Sequence, residues 1–404
     1  MNPLLELDPA KVPLSLYIHV PWCVKKCPYC DFNSHALPNA NQGADDGMLT
    51  APFAQYVDAL IADAKSQQSF VQGRVIGSVF IGGGTPSLLP VAEFRRLFAA
   101  LRDIYEFSDD CEITLEANPG TVEHAPFAEY LQIGINRLSI GVQTFDKQAL
   151  KVLGRIHDPM QAVNAITQAK KAGFLRVNVD LMHGLPNQTA QLAVKDLQMA
   201  IDAGATHISW YQLTIEPNTA FYRTPPDLPN DETLDAIEDD GRALLKSHGF
   251  DNYEVSAWAG SQDAPCRHNL NYWQFGDYLA IGAGAHGKVT LRHHADFADG
   301  IYRFYKSRLP KDYLNFSPSS APKMVSFEPI DEESLPFEFM MNALRLRHGA
   351  TTQMFEERTG LLVSSIDNEL LPLQHEGFMV HDATLLSPTE MGFRYVNHLV
   401  RQFL

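Results

Sequence analysis

Six times between residues 14 and 215, a short apolar, β-branched run gives way to a segment with apolar residues three and four apart. The runs are 14–20, 75–82, 112–118, 137–143, 176–182 and 207–215. Helical spacing is plain in Phe53-x-x-Tyr56-Val57-x-x-Leu60-Ile61 and Phe94-x-x-Leu97-Phe98-x-x-Leu101, and again at 160–172, 191–203 and 231–248. Strands joined through helices pair in parallel, with the crossovers covering the sheet. Six βα units therefore predict an α/β chain, its sheet either doubly wound or curled into an open, partial (β/α)6 barrel.

Past residue 248 the rhythm breaks. Residues 250–290 carry aromatics, glycines and histidines and read as strands plus loops, and 315–336 read as a polar linker. From 337 to 404 helical patterns return, followed by a hairpin around 377–380 and 385–386, which suggests a winged-helix-like module. The expected division is 1–314, a linker over 315–336, and 337–404. A chain of 404 residues suits one large barrel with an appendage.

Charge and cysteine usage exclude whole classes of function. With 32 basic against 48 acidic side chains the net charge is −16, which repels phosphate backbones and anionic lipid. A DNA-binding role for the winged module is disfavoured on that ground, and no nucleic-acid partner is expected. No apolar run approaches the roughly 18–20 residues of a spanning helix. The start, Met1 to Pro9, lacks the basic and apolar regions of a signal peptide. Three of the five cysteines fall within eight residues. That crowding suits a cytoplasmic metal or redox site rather than a secreted disulfide framework.

The crowded segment is Cys23-Val24-Lys25-Lys26-Cys27-Pro28-Tyr29-Cys30, directly after the first strand, where barrels of this kind place their chemistry. Three thiolates on a four-iron cluster leave one iron open; a structural zinc completed by His19 or His35 is the alternative. Gly82-Gly83-Gly84-Thr85-Pro86 follows the second strand and lets backbone approach a ligand closely. Polar residues then recur at strand ends: Glu116 and Asn118, Gln143, Asp180 and His183, Gln212 and Glu216. One such residue is an ordinary cap or turn former, but the series reads as a lined pocket. Arg155 could offer a carboxylate a fixed cation.

A CxxxCxxC loop in this setting resembles the radical S-adenosylmethionine superfamily. The segments Tyr17 to Cys23, Gly82 to Pro86, Glu116-Ala117-Asn118-Pro119, Gly141 to Phe145, Gly154-Arg155-Ile156-His157 and Val179 to Pro186 narrow it to the oxygen-independent coproporphyrinogen III oxidase family, over nearly the whole chain. The resemblance implies a partial (β/α)6 radical SAM barrel with a C-terminal winged-helix-like, HemN-type domain. It implies a [4Fe–4S] cluster on Cys23, Cys27 and Cys30, and S-adenosylmethionine against Tyr17, Gly83, Gly84, Thr85, Glu116, Gln143, Arg155 and Asp180. It assigns no catalytic side chain here.

The chain departs from the oxidase at two points. The oxidase reads CxxxCxxCxC and needs the last thiol for activity; here that position is Phe32. Only 22 residues precede the cluster loop, fewer than the arm that helps enclose the oxidase substrate. What remains is similar to the haem chaperones of the same family, through His268-Asn269-Leu270-Asn271-Tyr272-Trp273 with Cys266 just upstream. An imidazole, a thiol and two aromatic planes suffice for an axial ligand and a stacking surface, while a hydrogen-bonded structural histidine is the plainer alternative. His286, among glycines, is a second candidate ligand. The resemblance implies haem binding and delivery to haemoproteins such as respiratory-chain components. It places the protein in the cytoplasm, with transient visits to the inner membrane face, and not in the bilayer. A homodimeric loaded state is left open, and coproporphyrinogen oxidation is the alternative activity.

Overall fold

A computed structural model describes residues 5–37, 51–120, 126–317, 319–320 and 325–404. The first four residues and the linker positions 318 and 321–324 therefore lie outside the described residues. The six expected strands are β1 (Leu14–Val20), β2 (Ile76–Gly83), β3 (Phe107–Ala117), β4 (Arg137–Gln143), β5 (Arg176–His183) and β6 (His207–Gln212). They pair in parallel in chain order, and Asp277–Ile281 adds a seventh parallel strand beside β1. Antiparallel strands extend both edges to give a twelve-stranded sheet. Helices such as Phe53–Ser66, Val91–Ile104, Pro159–Lys171 and Ala190–Ala203 cover its outer face. Asp158 and Gln161 form a reciprocal capping box that starts the third of these.

Each core strand carries two sets of side chains. Leu16, Ile18 and Val20 of β1, with Val79 and Ile81 of β2, are fully buried in the main core beside the helices. The alternate residues of successive strands bond to one another across the barrel interior: Ser139 on β4, Asn178 and Asp180 on β5, His207 and Ser209 on β6. Barrel interiors are ordinarily filled by Val, Ile and Leu. A polar interior must be fully hydrogen-bonded to be tolerated.

The structure corrects the reading of two segments. Residues 250–290 contain strands at Phe250–Glu254, Ala257–Gly260, Asp277–Ile281 and His286–Leu291, but 267–273 form a helix, Arg267–Trp273. Within the expected linker, Val325–Pro329 is the edge strand of the large sheet, paired with Gly300–Lys306. Its Phe327 stacks on Phe304 and Tyr302, a burial that composition alone did not signal.

The C-terminal residues build a second core from Phe339, Met340, Phe355, Leu386 and Leu399. Helices Leu335–Ala343, Thr352–Thr359 and Asp367–His375 surround it, and a two-stranded wing pairs Ala350–Thr351 with Leu385–Leu386. Phe275 packs edge-on against Phe339, and Val255 N donates to Arg345 O at 3.0 Å, which fixes this module against the barrel. Among the described residues, no helix is long and apolar enough to cross a membrane.

Candidate functional site

The cysteine loop leaves the end of β1 and is closed by a two-residue parallel pair, Trp22–Cys23 with His35–Ala36. Backbone bonds stitch it to the glycine turn after β2: Gly84 N donates to Val20 O and Thr85 N to Trp22 O, both at 2.7 Å. A Cβ on Gly84 would lie 2.5 Å from Trp22 O, so only glycine permits this contact. The glycine motif therefore seats the segment that presents Cys23.

Cys23, Cys27 and Cys30 are free thiols on the wall of one cavity of about 260 Å³. Burial pushes the Cys23 thiol up to about 11, opposed by the Thr85 hydroxyl. Cys27 Sγ accepts from Arg155 Nη1 at 3.6 Å, and Cys30 Sγ lies 3.5 Å from Ser34 Oγ. Cys111 and Cys266 are buried elsewhere, so the cavity offers three thiols and no fourth. This donor set fits a thiolate-bound iron–sulfur group with one iron left for another ligand. Among the described residues, no three His, Cys, Asp or Glu side chains converge on a single metal-ion position. His19, a candidate fourth zinc ligand, is committed at both ring nitrogens, to the Tyr17 hydroxyl at 2.9 Å and Asn33 O at 3.0 Å.

Seven of the eight residues expected around S-adenosylmethionine line this same cavity: Gly83, Gly84, Thr85, Glu116, Gln143, Arg155 and Asp180. Asn118 joins them. Gln143 holds a left-handed backbone (φ 73°) at an irregularity between β4 and β5, and its Oε1 accepts from Tyr211 at 2.6 Å. A non-glycine residue kept in that conformation is a cost that functional sites tolerate. Arg155 bonds Gly141 O and Cys27, which fixes its guanidinium against the cysteine loop. Glu116 and Asp180 both line the cavity, on strands that flank β4. Desolvation and the neighbouring Asp180 push Glu116 up to about 8, while a hydrogen bond from Gly83 N at 3.2 Å opposes the shift. Burial likewise raises Asp180, against hydrogen bonds from Ser139 and Asn178.

The eighth residue, Tyr17, lies instead on a second cavity of about 540 Å³. Phe32, Gly83 and Glu116 belong to both cavities, so the two meet along these residues. Phe32 is 62% exposed, an aromatic ring at the shared boundary. The second cavity is walled by His19, Phe80, His268, Tyr272, Tyr278 and His286. His268 stacks on Phe80 at 4.5 Å between centroids and on Tyr17 at 6.1 Å. Its Nδ1 is buried without a hydrogen-bond partner, and desolvation lowers the imidazole to about 4. The ring is thus neutral at physiological pH, the form that ligates metals.

Other expected residues fall elsewhere. Trp273 turns toward the C-terminal module, 5.4 Å beneath Arg345, and does not line the cavity. Cys266 is buried behind the helix, its Sγ donating to Glu112 at 3.4 Å. His183 and Gln212 border a separate cavity of about 160 Å³ with Trp210, and Glu216 bonds Thr214 in the following loop. The glycines before His286 reflect packing, since a Cβ on Gly284 would meet the Asn33 side chain at 2.2 Å. Phe80 and Tyr278 also line the second cavity, although no motif marks them in the sequence. Their signal was an aromatic at an inward position of a strand, facing the histidine helix. A groove of about 410 Å³ between Phe127 and Gln168 lies apart from all of these residues.

Comparisons with known proteins agree with this geometry. Residues 17–200 match the radical SAM superfamily, and 330–395 match the HemN C-terminal domain. The chain is 45% identical to the protein named Heme chaperone HemW of Haemophilus influenzae, over 98% of this chain and 99% of that one. It is 44% identical to the Escherichia coli protein of the same name, over 97% and 98%. Identity to the Mycobacterium tuberculosis protein of that name is 32%, over 83% of each. Among solved structures, the Escherichia coli coproporphyrinogen III oxidase HemN, a radical SAM enzyme by its description, superimposes with a TM-score of 0.74. Their identity is 22%, over 98% of this chain and 90% of that one, a likeness of fold.

Proposed function

Since the chain belongs to the radical SAM superfamily and, within it, to the family of proteins named heme chaperone HemW, we propose that it binds haem in the larger cavity and delivers it to haemoproteins. The observation that carries this reading is His268. It is a neutral imidazole with a partnerless nitrogen, packed against Phe80 and Tyr17 on a cavity that adjoins the cysteine loop. A neutral imidazole on a cavity wall is the form that would hold a haem iron, and the ring would supply that ligand if haem bound here. Tyr272 and Tyr17 supply aromatic planes, and His286, which also lines the cavity, is the second candidate ligand.

In the same reading Cys23, Cys27 and Cys30 hold a [4Fe–4S] cluster. Gly83, Gly84, Thr85, Glu116, Gln143, Arg155 and Asp180 hold S-adenosylmethionine beside it. When bound, that pair supplies reductive chemistry at a sulfonium; the chain orients it and limits solvent access. Glu116 and Asp180 accept hydrogen bonds from ligand hydroxyls or an ammonium, and the Arg155 cation sits where a carboxylate would approach the cysteine loop. Recipients are haemoproteins such as respiratory-chain components, met in the cytoplasm or at the inner membrane face. A haem-loaded homodimer is compatible with this scheme.

Phe32 separates this reading from coproporphyrinogen oxidation. A phenyl ring neither donates a hydrogen atom nor shuttles an electron, and it stands where the oxidase carries its required thiol. Coproporphyrinogen incubated anaerobically with the reconstituted protein, S-adenosylmethionine and a reductant should persist. Stoichiometric conversion to protoporphyrinogen would restore the oxidase reading.

A further inference from the structure

The barrel interior holds a file of hydrogen bonds, with side branches through Ser139 and Ser209, that starts in one cavity and ends at the helix serving the other. Asp180 Oδ1 accepts from Asn178 Nδ2 at 2.7 Å, and the same amide donates to Ser139 Oγ at 2.7 Å. With its amide hydrogens committed, Asn178 must accept at Oδ1. His207 Nδ1, 2.6 Å away, therefore carries the proton. Nε2 of His207 is then an acceptor, and the Tyr253 hydroxyl donates to it at 3.0 Å. Tyr253 in turn accepts from Cys266 N at 3.3 Å and Asn269 Nδ2 at 3.4 Å. Cys266 caps the helix Arg267–Trp273, and Asn269 lies within it, next to His268. Every donor points toward Asp180.

The chain is out of place in an ordinary barrel core. His207 is fully buried where an apolar residue would pack well, and burial holds it neutral, with one ring proton to place. A satisfied polar core that only supports the fold gains little over an apolar one. What this file adds is direction: hydrogen bonds in series polarise one another, so a change at one end is felt along it. A ligand ammonium or hydroxyl donating to Asp180 competes with Asn178 for carboxylate lone pairs and weakens each link behind it. The far end is the N-terminus of the helix that sets His268.

Resting on the haem reading above, we infer that His207 and Tyr253 are positioning residues that couple the two cavities, so that S-adenosylmethionine at Asp180 loosens the His268 helix and lowers the affinity for haem. Coupling of this kind is reciprocal. Haem must weaken S-adenosylmethionine binding by the same factor.

The test is a binding cycle on cluster-reconstituted protein under anaerobic conditions. Haem is titrated by its Soret band with and without saturating S-adenosylmethionine, and the reverse titration is done with and without haem. Wild type should show mutual weakening of about fivefold or more, equal in both directions. Tyr253→Phe, which removes one hydroxyl and touches neither cavity, should bind each ligand alone about as wild type does, with the factor falling to near one. His207→Leu cuts the file at another link and serves if the first variant does not fold. Saturable binding of both ligands with a wild-type factor of one overturns the coupling alone, as does mutual strengthening or a factor that survives both substitutions. A wild type with no saturable Soret change overturns the haem reading instead.

Discussion

Replacing Glu116 by Gln should stabilise the protein without its ligands, by an amount that depends on pH. Glu116 is raised from an ordinary value of 4.5 to about 8 by desolvation and by the negative charge of Asp180. Between those two values the folded state holds a proton that the unfolded chain has released. Stability therefore falls as pH rises from 4.5 toward 8, and the whole cost is present above 8. At 1.36 kcal/mol per unit, the cost at pH 7 is at most about 3 kcal/mol. Because the carboxyl borders a cavity that admits water, about 1–3 kcal/mol is the expected range. Glutamine removes the charge and keeps an oxygen that can accept from Gly83 N. Urea unfolding of cluster-free wild type and Glu116→Gln should give matching midpoints near pH 4.5. By pH 7.5 the variant should be the more stable. A gap that stays constant from pH 4.5 to 8, or a variant less stable throughout, would refute the argument.

Three further outcomes follow from the same geometry. Alanine at Cys23, Cys27 or Cys30 should abolish the anaerobic absorbance near 400 nm (roughly where thiolate-to-iron bands fall), whereas Cys111→Ala and Cys266→Ala should keep it; loss in a folded Cys111→Ala protein would contradict the three-thiol assignment. Gly84→Ala forces a Cβ to 2.5 Å from Trp22 O, an overpacking cost of about 1–3 kcal/mol. Its reconstituted iron content should drop because the Cys23 segment is displaced, and full loading would show that the turn does not seat the loop. Glu116→Ala should weaken S-adenosylmethionine binding by about 1–3 kcal/mol in calorimetry, the range for leaving a buried ligand hydroxyl unpaired.

Much of the barrel was legible because short β-branched runs alternate with helically spaced segments, the pattern of parallel strands joined by crossover helices. β1 and β4 fall at the residues expected of them, 14–20 and 137–143. The helix at 267–273 was harder. It is only seven residues long, and its amphipathic pattern is obscured because it carries polar and aromatic groups to several neighbours at once. Val325–Pro329 carries the composition of a linker because an edge strand is polar on one side, and its apolar packing comes from Val325 and Phe327.

At the site, strand-end polarity located the cavity beside the cysteines, since one barrel face gathers the ends of parallel strands. Tyr17, expected against the same ligand, precedes the cysteine loop on β1 and lines the second cavity together with Gly83 and Glu116. No motif spacing reveals that two cavities share Phe32 and Glu116. Nor did the interior file show itself, although its period of two is present in Asn178-x-Asp180 and His207-x-Ser209. Polar alternation in a strand ordinarily marks a solvent face. Only the hydrogen bonds that these side chains make from strand to strand show that here they face the barrel interior.

The central claim is that His268 presents an iron ligand to a macrocycle in the larger cavity. Anaerobic haem titration of the reconstituted wild type and of His268→Ala tests it most directly. With the imidazole lowered to about 4, the ligand is unprotonated from pH 5.5 to 8, so the wild-type Soret change should be saturable and nearly constant in affinity over that range. His268→Ala should give a smaller change and weaker binding. Spectra and affinity unaltered by His268→Ala would contradict the account and move the ligand to His286, which lines the same cavity.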